Sequence, residues 1–193
     1  FSFNGNKTIT TGGGGVVVAK ESEKLARIRF LANQAKSATM DFLHPEIGFN
    51  YGMTNLEAAL GLAQFERLDE ILVLKKTFAR IYAEYLGDIP GLSFQKEPQG
   101  GTSSHWFTCI TLEKDRYSAV QLGQALRLHG IPTRRVFRPI TESPPYMSYC
   151  STVVPYADKI RANGLCLPSS ACNSAEQITT VATMLRKLLS EAG

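Results

Sequence analysis

The run Gly12-Gly13-Gly14-Gly15 limits what the beginning of this chain can become. Glycine loses more backbone freedom on folding than any other residue, so no helix starts across residues 10–15. The run instead permits a sharp turn, or a close approach of the backbone to a bound group. One lysine stands just before it, in Ser2-Phe3-Asn4-Gly5-Asn6-Lys7-Thr8-Ile9-Thr10-Thr11, and the apolar Val16-Val17-Val18-Ala19 follows. The pattern predicts a loop carrying Lys7, a flexible turn and then a buried strand. A lysine placed so is a surface charge, a phosphate binder or a nucleophilic amine. It is not the lysine of a P-loop, which needs a glycine directly before it; here Asn6 takes that place.

A second block, His44-Pro45-Glu46-Ile47-Gly48-Phe49-Asn50-Tyr51-Gly52-Met53-Thr54-Asn55-Leu56-Glu57-Ala58-Ala59-Leu60-Gly61, is again rich in turn formers before it turns helical. Together the two blocks resemble the DegT/DnrJ/EryC1/StrS family of sugar-nucleotide aminotransferases. The first is similar to that family's lysine segment: a Ser-Phe start, a lysine five residues after the serine, and a Thr-Thr-Gly-x-Gly-Gly run. Glutamate is frequent in the family where this chain has Gly13. The second block is similar to its Gly-Tyr-Asn-Tyr-Arg-Met-Thr-Asn-x-x-Ala-Ala-x-Gly segment, with Gly52 in place of the arginine. The Asn-Gly-Asn-Lys form most resembles the branch that makes amino sugars of the legionaminic-acid or bacillosamine type.

The resemblance implies an α/β fold: the C-terminal part of a fold type I transferase that depends on pyridoxal 5′-phosphate (PLP). Residues 1–87 would be the end of the large cofactor-binding domain with its linking helix, and residues 88–193 a small α+β domain. Lys7 would hold PLP as a Schiff base, and Ser2 would bind its phosphate. Asn50 would reach the phosphate of the other subunit's cofactor, which implies a homodimer with shared sites. The reaction would move an amino group from an amino acid, glutamate by resemblance, to a nucleotide-linked keto sugar for surface-glycan synthesis. The pyridine-nitrogen partner and the stacking aromatic are then expected in an N-terminal half outside this sequence, and the chain alone is expected to hold PLP weakly. A dehydratase-like branch carries histidine at the lysine position, and Lys7 argues against it. A non-catalytic fragment, or a regulatory or structural domain retaining the fold, is the alternative.

The residues themselves offer further candidates. His44 is either a solvated loop histidine or a substrate contact. Arg134 and Arg138, with Arg135, form either a solvated basic face or a fork for diphosphate oxygens. Ser2 alone reads as a strand-end hydroxyl and Asn50 alone as a turn asparagine; His105, Trp106 and His129 read as packing or helix-end residues.

A charge of +4, dispersed over 193 residues, does not point to nucleic acid. No apolar run reaches the roughly 20 residues that span a bilayer, so no membrane partner is expected, and no signal peptide is recognisable. The cysteines Cys109, Cys150, Cys166 and Cys172 make no Cys-x-x-Cys pair. They read as reduced thiols of a cytoplasmic protein, with no metal site.

Periodicity predicts helices over residues 21–33 and, from a Thr54/Glu57 capping box, over residues 54–86, ended by Gly87. Residues 34–53 should be irregular. Strands are expected at residues 92–94, 105–112, 131–136 and 165–167. Further helices are expected over residues 118–129, 156–163 and from Ser174 onward, and residues 138–154, with three prolines, should be irregular.

Overall fold

The computed structural model describes residues 1–113, 118–149 and 154–191. The chain forms two compact units, Phe1–Glu70 and Ile71–Gly193.

The first unit holds the lysine loop and two helices, α1 (Ser22–Ala32) and α2 (Asn55–Phe65). Neither helix contains a fully buried residue, and Ala35 is the unit's one buried apolar residue among those described. Helix α2 starts where the capping box puts it. The Glu57 N–H donates to the Thr54 hydroxyl at 3.3 Å, and the Thr54 N–H donates to the Glu57 carboxylate at 2.8 Å. Residues 34–53 are irregular as expected, and three residues there, Gln34 (φ 64°), Ala35 (φ 49°) and Phe42 (φ 56°), take left-handed backbone.

The expectation of a buried strand at residues 16–19 is corrected. Val16, Val17 and Val18 are 42%, 57% and 71% exposed and join no sheet. Their neighbourhood pairs only with the first residues: the Val16 N–H donates to the Phe1 carbonyl at 2.8 Å, and Gly15 bridges Ser2. One short ladder on one side cannot bury a continuous apolar run, which needs partners on both edges and both faces.

The single helix expected over residues 54–86 is two. Helix α3 (Leu68–Leu86) is separated from α2 by a turn at Glu66-Arg67, where the Arg67 N–H reaches back to the Gln64 carbonyl at 3.2 Å. Glu66 keeps right-handed helical dihedrals, so the break is a tightened turn with no glycine or proline to signal it.

The second unit carries one antiparallel sheet, in the order β1-β2-β4-β3, built from β1 (Leu92–Phe94), β2 (Thr108–Leu112), β3 (Arg134–Arg135) and β4 (Gly164–Leu167). Pairing sets Phe94, Ile110 and Leu165 in one row, with Leu92–Leu112 and Thr108–Leu167 on the same face. This face meets the buried side chains of α3 (Phe78, Tyr82, Leu86), α4 (Ala119–Leu128; Leu122, Leu126) and α6 (Ala175–Glu191; Ile178, Leu185). Capping boxes start α4, through Ser118 and Gln121, and α6, through Ser174 and Gln177. Helix α5 (Pro155–Asn163) has proline in its first turn, where the missing N–H costs nothing.

Two strands are shorter than expected. Of residues 105–112 only 108–112 pair, because His105 is left-handed (φ 46°) and the Trp106 carbonyl is taken by Lys75 at 3.2 Å. Lys75 is 4% exposed and also donates to the Ser169 carbonyl at 3.0 Å. Of residues 131–136 only Arg134 and Arg135 pair. The proline-rich stretch is more ordered than expected: Ile140–Glu142 and Pro144–Tyr149 form 3₁₀ turns, whose short repeats tolerate proline at their starts. The remainder of that expectation, residues 150–153, lies outside the described residues, as does Cys150.

Candidate active site

The lysine loop is folded on itself by its own backbone. The Lys7 N–H donates to the Asn4 carbonyl at 3.0 Å, the Phe3 N–H to Gly14 at 3.1 Å, and the Thr11 N–H to Phe3 at 3.0 Å. Gly12 (φ 85°) and Gly14 (φ 78°) take left-handed conformations that a side chain would strain. The glycine run therefore works as a return turn that brings residues 11–15 back beside residues 1–4. Lys7 itself is half-buried on the short arc between them.

A two-point clamp seats this loop on α2. The Thr10 N–H donates to Gln64 Oε1 at 3.0 Å, and Gln64 Nε2 donates to the Thr10 carbonyl at 2.8 Å. The side-chain amide thus imitates a neighbouring strand. Gly61 allows the approach: a Cβ there would stand 2.8 Å from the Thr11 methyl carbon. Sequence reading did not single out Gln64. Gln64 carries no distinguishing sequence signal, because Glu57, two turns earlier on the same side of α2, is polar as well.

Beside the loop lies a cleft of about 830 Å³. Its walls include Gly14, Gly15, Arg29, Asn33, Asn50 and Glu57. The Glu57 carboxylate stands there below the usual carboxylate range, because the Thr54 N–H and then the Thr54 hydroxyl bond to it. The cleft therefore presents a cation, an anion and two amides within largely apolar walls.

The other candidates fall as follows. The Ser2 hydroxyl is exposed and accepts from the Asn4 N–H at 3.3 Å, which uses a lone pair and leaves its proton for an external acceptor. Asn50 bridges Asn33, flanked by donation from the Phe49 N–H to Leu31 at 2.7 Å and from the Tyr51 N–H to Ala32 at 2.9 Å. This ladder ties the irregular segment to the end of α1. His44 Nδ1 lies 2.8 Å from the carbonyl of Gln34, the left-handed residue, so that bond helps hold the corner. Ser2, Lys7, His44 and Asn50 all belong to the first unit. Of these, only Asn50 lines the cleft.

Arg134 and Arg138 belong to the second unit, each with a local partner. The Arg134 guanidinium lies 4.9 Å from the Phe137 ring centroid, and Arg138 pairs with Glu142 at 2.7 Å. Among the described residues no group of histidine, cysteine and acidic side chains is arranged to hold a metal ion, and no helix is long and apolar enough to cross a membrane.

The donor set suits a phosphorylated aldehyde: a primary amine on a fixed loop, a serine hydroxyl, an asparagine amide and a turn that brings backbone close. A mixed α/β fold with these groups is that of the C-terminal part of a fold type I PLP-dependent transferase. The solved structure of the aminotransferase TlmJ from Streptoalloteichus hindustanus superposes with a TM-score of 0.86 at 25% identity, covering 98% of this chain and 51% of that one. DesI, solved in the presence of its TDP-sugar product, gives a TM-score of 0.85 at 26% identity, covering 98% and 49%.

The chain belongs to the DegT/DnrJ/EryC1/StrS aminotransferase family, which it matches over residues 1–186. It is 35% identical to the putative pyridoxal phosphate-dependent aminotransferase EpsN of Bacillus subtilis (strain 168), over 89% of this chain and 45% of that protein. It is 33% identical to GDP-perosamine synthase of Caulobacter vibrioides, over 98% and 52%. The chain thus spans about half the length of the curated relatives it matches.

Proposed function

We propose that this chain is part of a PLP-dependent aminotransferase that moves an amino group from an amino acid, glutamate by family resemblance, to a nucleotide-linked keto sugar. The observation that carries the reading is the Lys7 loop, held by its own backbone bonds and by Gln64. Relatives named for GDP-, dTDP- and UDP-linked sugars support the substrate class.

Bound PLP supplies an electron sink that the protein's own side chains lack. Ser2 would hold the phosphate by donating its hydroxyl proton. Lys7 would hold the cofactor through its Nζ amine and, when not so engaged, would serve as the group that moves a proton at the reacting centre. The loop's fixed geometry keeps that amine within reach throughout, so little orienting entropy is lost in each cycle. His44, Arg134 and Arg138 are retained as candidate substrate contacts; for Arg138 this requires exchanging Glu142 for a diphosphate.

We also propose a cytoplasmic homodimer in which Asn50 serves the partner's cofactor. Exposed apolar side chains crowd the segment that carries it: Phe42 and Ile47 are 86% and 87% exposed. Such a patch favours burial against another surface.

Two variants of the full-length enzyme test both statements. Lys7→Ala should abolish the visible absorbance of the bound cofactor and transamination together; retention of both would refute the assignment. Mixing inactive Lys7→Ala with an inactive Asn50→Ala variant should return activity in heterodimers, because one site then receives both residues. Heterodimers without activity would rule out shared sites.

A further inference from the structure

The functional reading leaves one pair of reactive groups unused. Cys109 on β2 and Cys166 on β4 are directly opposed in the antiparallel ladder, with their Sγ atoms 3.5 Å apart and both thiols free. Arg134 on β3 is in turn opposite Cys166, so a cation completes the row. This row lies on the sheet face away from the Ile110–Leu165 core. Directly opposed residues of an antiparallel pair have Cα atoms about 4.5–5.5 Å apart. That lies inside the about 4.4–6.8 Å a disulfide spans, so closing the sulfurs to bonding distance needs side-chain rotation and no new fold.

We propose that Cys109 and Cys166 are a modification site, a cross-strand dithiol that a hydroperoxide converts reversibly to a disulfide. Cys166 is the attacking sulfur. The hydrogen bond from the Cys109 thiol holds it below the usual thiol range, against its burial and with the Arg134 charge acting in the same direction. The Cys166 thiolate attacks one peroxide oxygen and the O–O bond breaks; the departing hydroxide takes a proton to become water, and Cys166 becomes a sulfenic acid. Cys109 sulfur then attacks Cys166 sulfur. The S–O bond breaks, the S–S bond forms, and the Cys109 proton leaves with hydroxide as a second water. Two thiols are oxidised by two electrons and one peroxide is reduced. Cys109 is half-buried and Cys166 is 3% exposed, so access favours a small peroxide over a bulky disulfide. Oxidation replaces the thiolate beside Arg134 by a neutral disulfide, which changes the field at that guanidinium.

The test treats the reduced full-length protein with hydrogen peroxide, quenches with acid, alkylates and maps peptides by mass spectrometry. A Cys109–Cys166 linked peptide should appear at least about tenfold faster than oxidation of exposed Cys172, and dithiothreitol should remove it. In Cys109→Ser, which has no resolving thiol, dimedone should trap Cys166. The proposal is overturned if Cys109 and Cys166 remain alkylatable at doses that oxidise Cys172. It is also overturned if the linked peptide forms only after urea unfolding, or if dimedone leaves Cys166 unmodified while it labels Cys172.

Discussion

Replacing Lys75 by methionine probes how the second unit is held together. Lys75 is a buried ammonium on α3 that donates to two carbonyls, those of Trp106 at 3.2 Å and Ser169 at 3.0 Å. Methionine fills nearly the same volume and removes both donations. Each donation lost from the buried ammonium costs about 1–3 kcal/mol, so the gross loss is about 2–6 kcal/mol. Against this, the variant no longer holds a desolvated cation, a penalty of several kcal/mol in its own right. The two nearly offset, and the carbonyls win by about 1–2 kcal/mol at pH 7, because their second lone pairs are no better served by a thioether. The pH dependence separates the terms. Burial lowers the Lys75 pKa from its usual 10.5. Between the lowered folded value and 10.5 the unfolded chain holds a proton that the folded chain has shed, so wild-type stability rises with pH across that window. Methionine cannot titrate. Urea unfolding of both full-length proteins at pH 7 and at pH 10 should show the gap widening in alkali. A gap that is constant, or that narrows, would refute the account of Lys75 as a desolvated cation.

The fold and the loop clamp each carry a further prediction. The Asp88 carboxylate is held at about 2 by its hydrogen bonds from Arg186, so the pair's stabilisation should be lost as pH falls from about 4 to about 2. Asp88→Asn should flatten acid unfolding monitored by circular dichroism over that range; an unchanged profile would contradict it. Gln64→Ala should cost about 1–3 kcal/mol locally by removing both bonds to Thr10, and lower cofactor occupancy with little change in the cooperative unfolding midpoint. Full occupancy, measured by absorbance, would show that the clamp does not hold Lys7 in place.

The fold was readable in sequence wherever its cause is local. Capping boxes at Thr54/Glu57 and Ser118/Gln121 join residues three apart, and both helices begin there. Helix α3 ends at Leu86 before Gly87, where a Cβ would stand 2.5 Å from the Ala83 carbonyl oxygen. The failures have distant causes. The expected strand at residues 105–112 loses its first part where Lys75, some thirty positions earlier, takes the Trp106 carbonyl out of the ladder. The break at Glu66-Arg67 has no glycine or proline, since a tightened turn needs neither. Val16-Val17-Val18 has strand composition without strand partners among the described residues.

The candidate site divides along the same line. Lys7, Ser2 and Asn50 are candidates through the spacing of the segments that carry them, whereas the contacts that seat those segments have no sequence signal. Thr10 and Gln64 are 54 positions apart, and no periodicity links them. Gly52 is a local case. A Cβ there would lie 2.7 Å from Asn33 Oδ1, so a side chain at position 52 requires the Asn33 amide to rotate aside. The bridge between Asn33 and Asn50 is made by backbone, so that rotation leaves it in place. The cleft already has a cation in Arg29, which enters from α1 rather than from the loop.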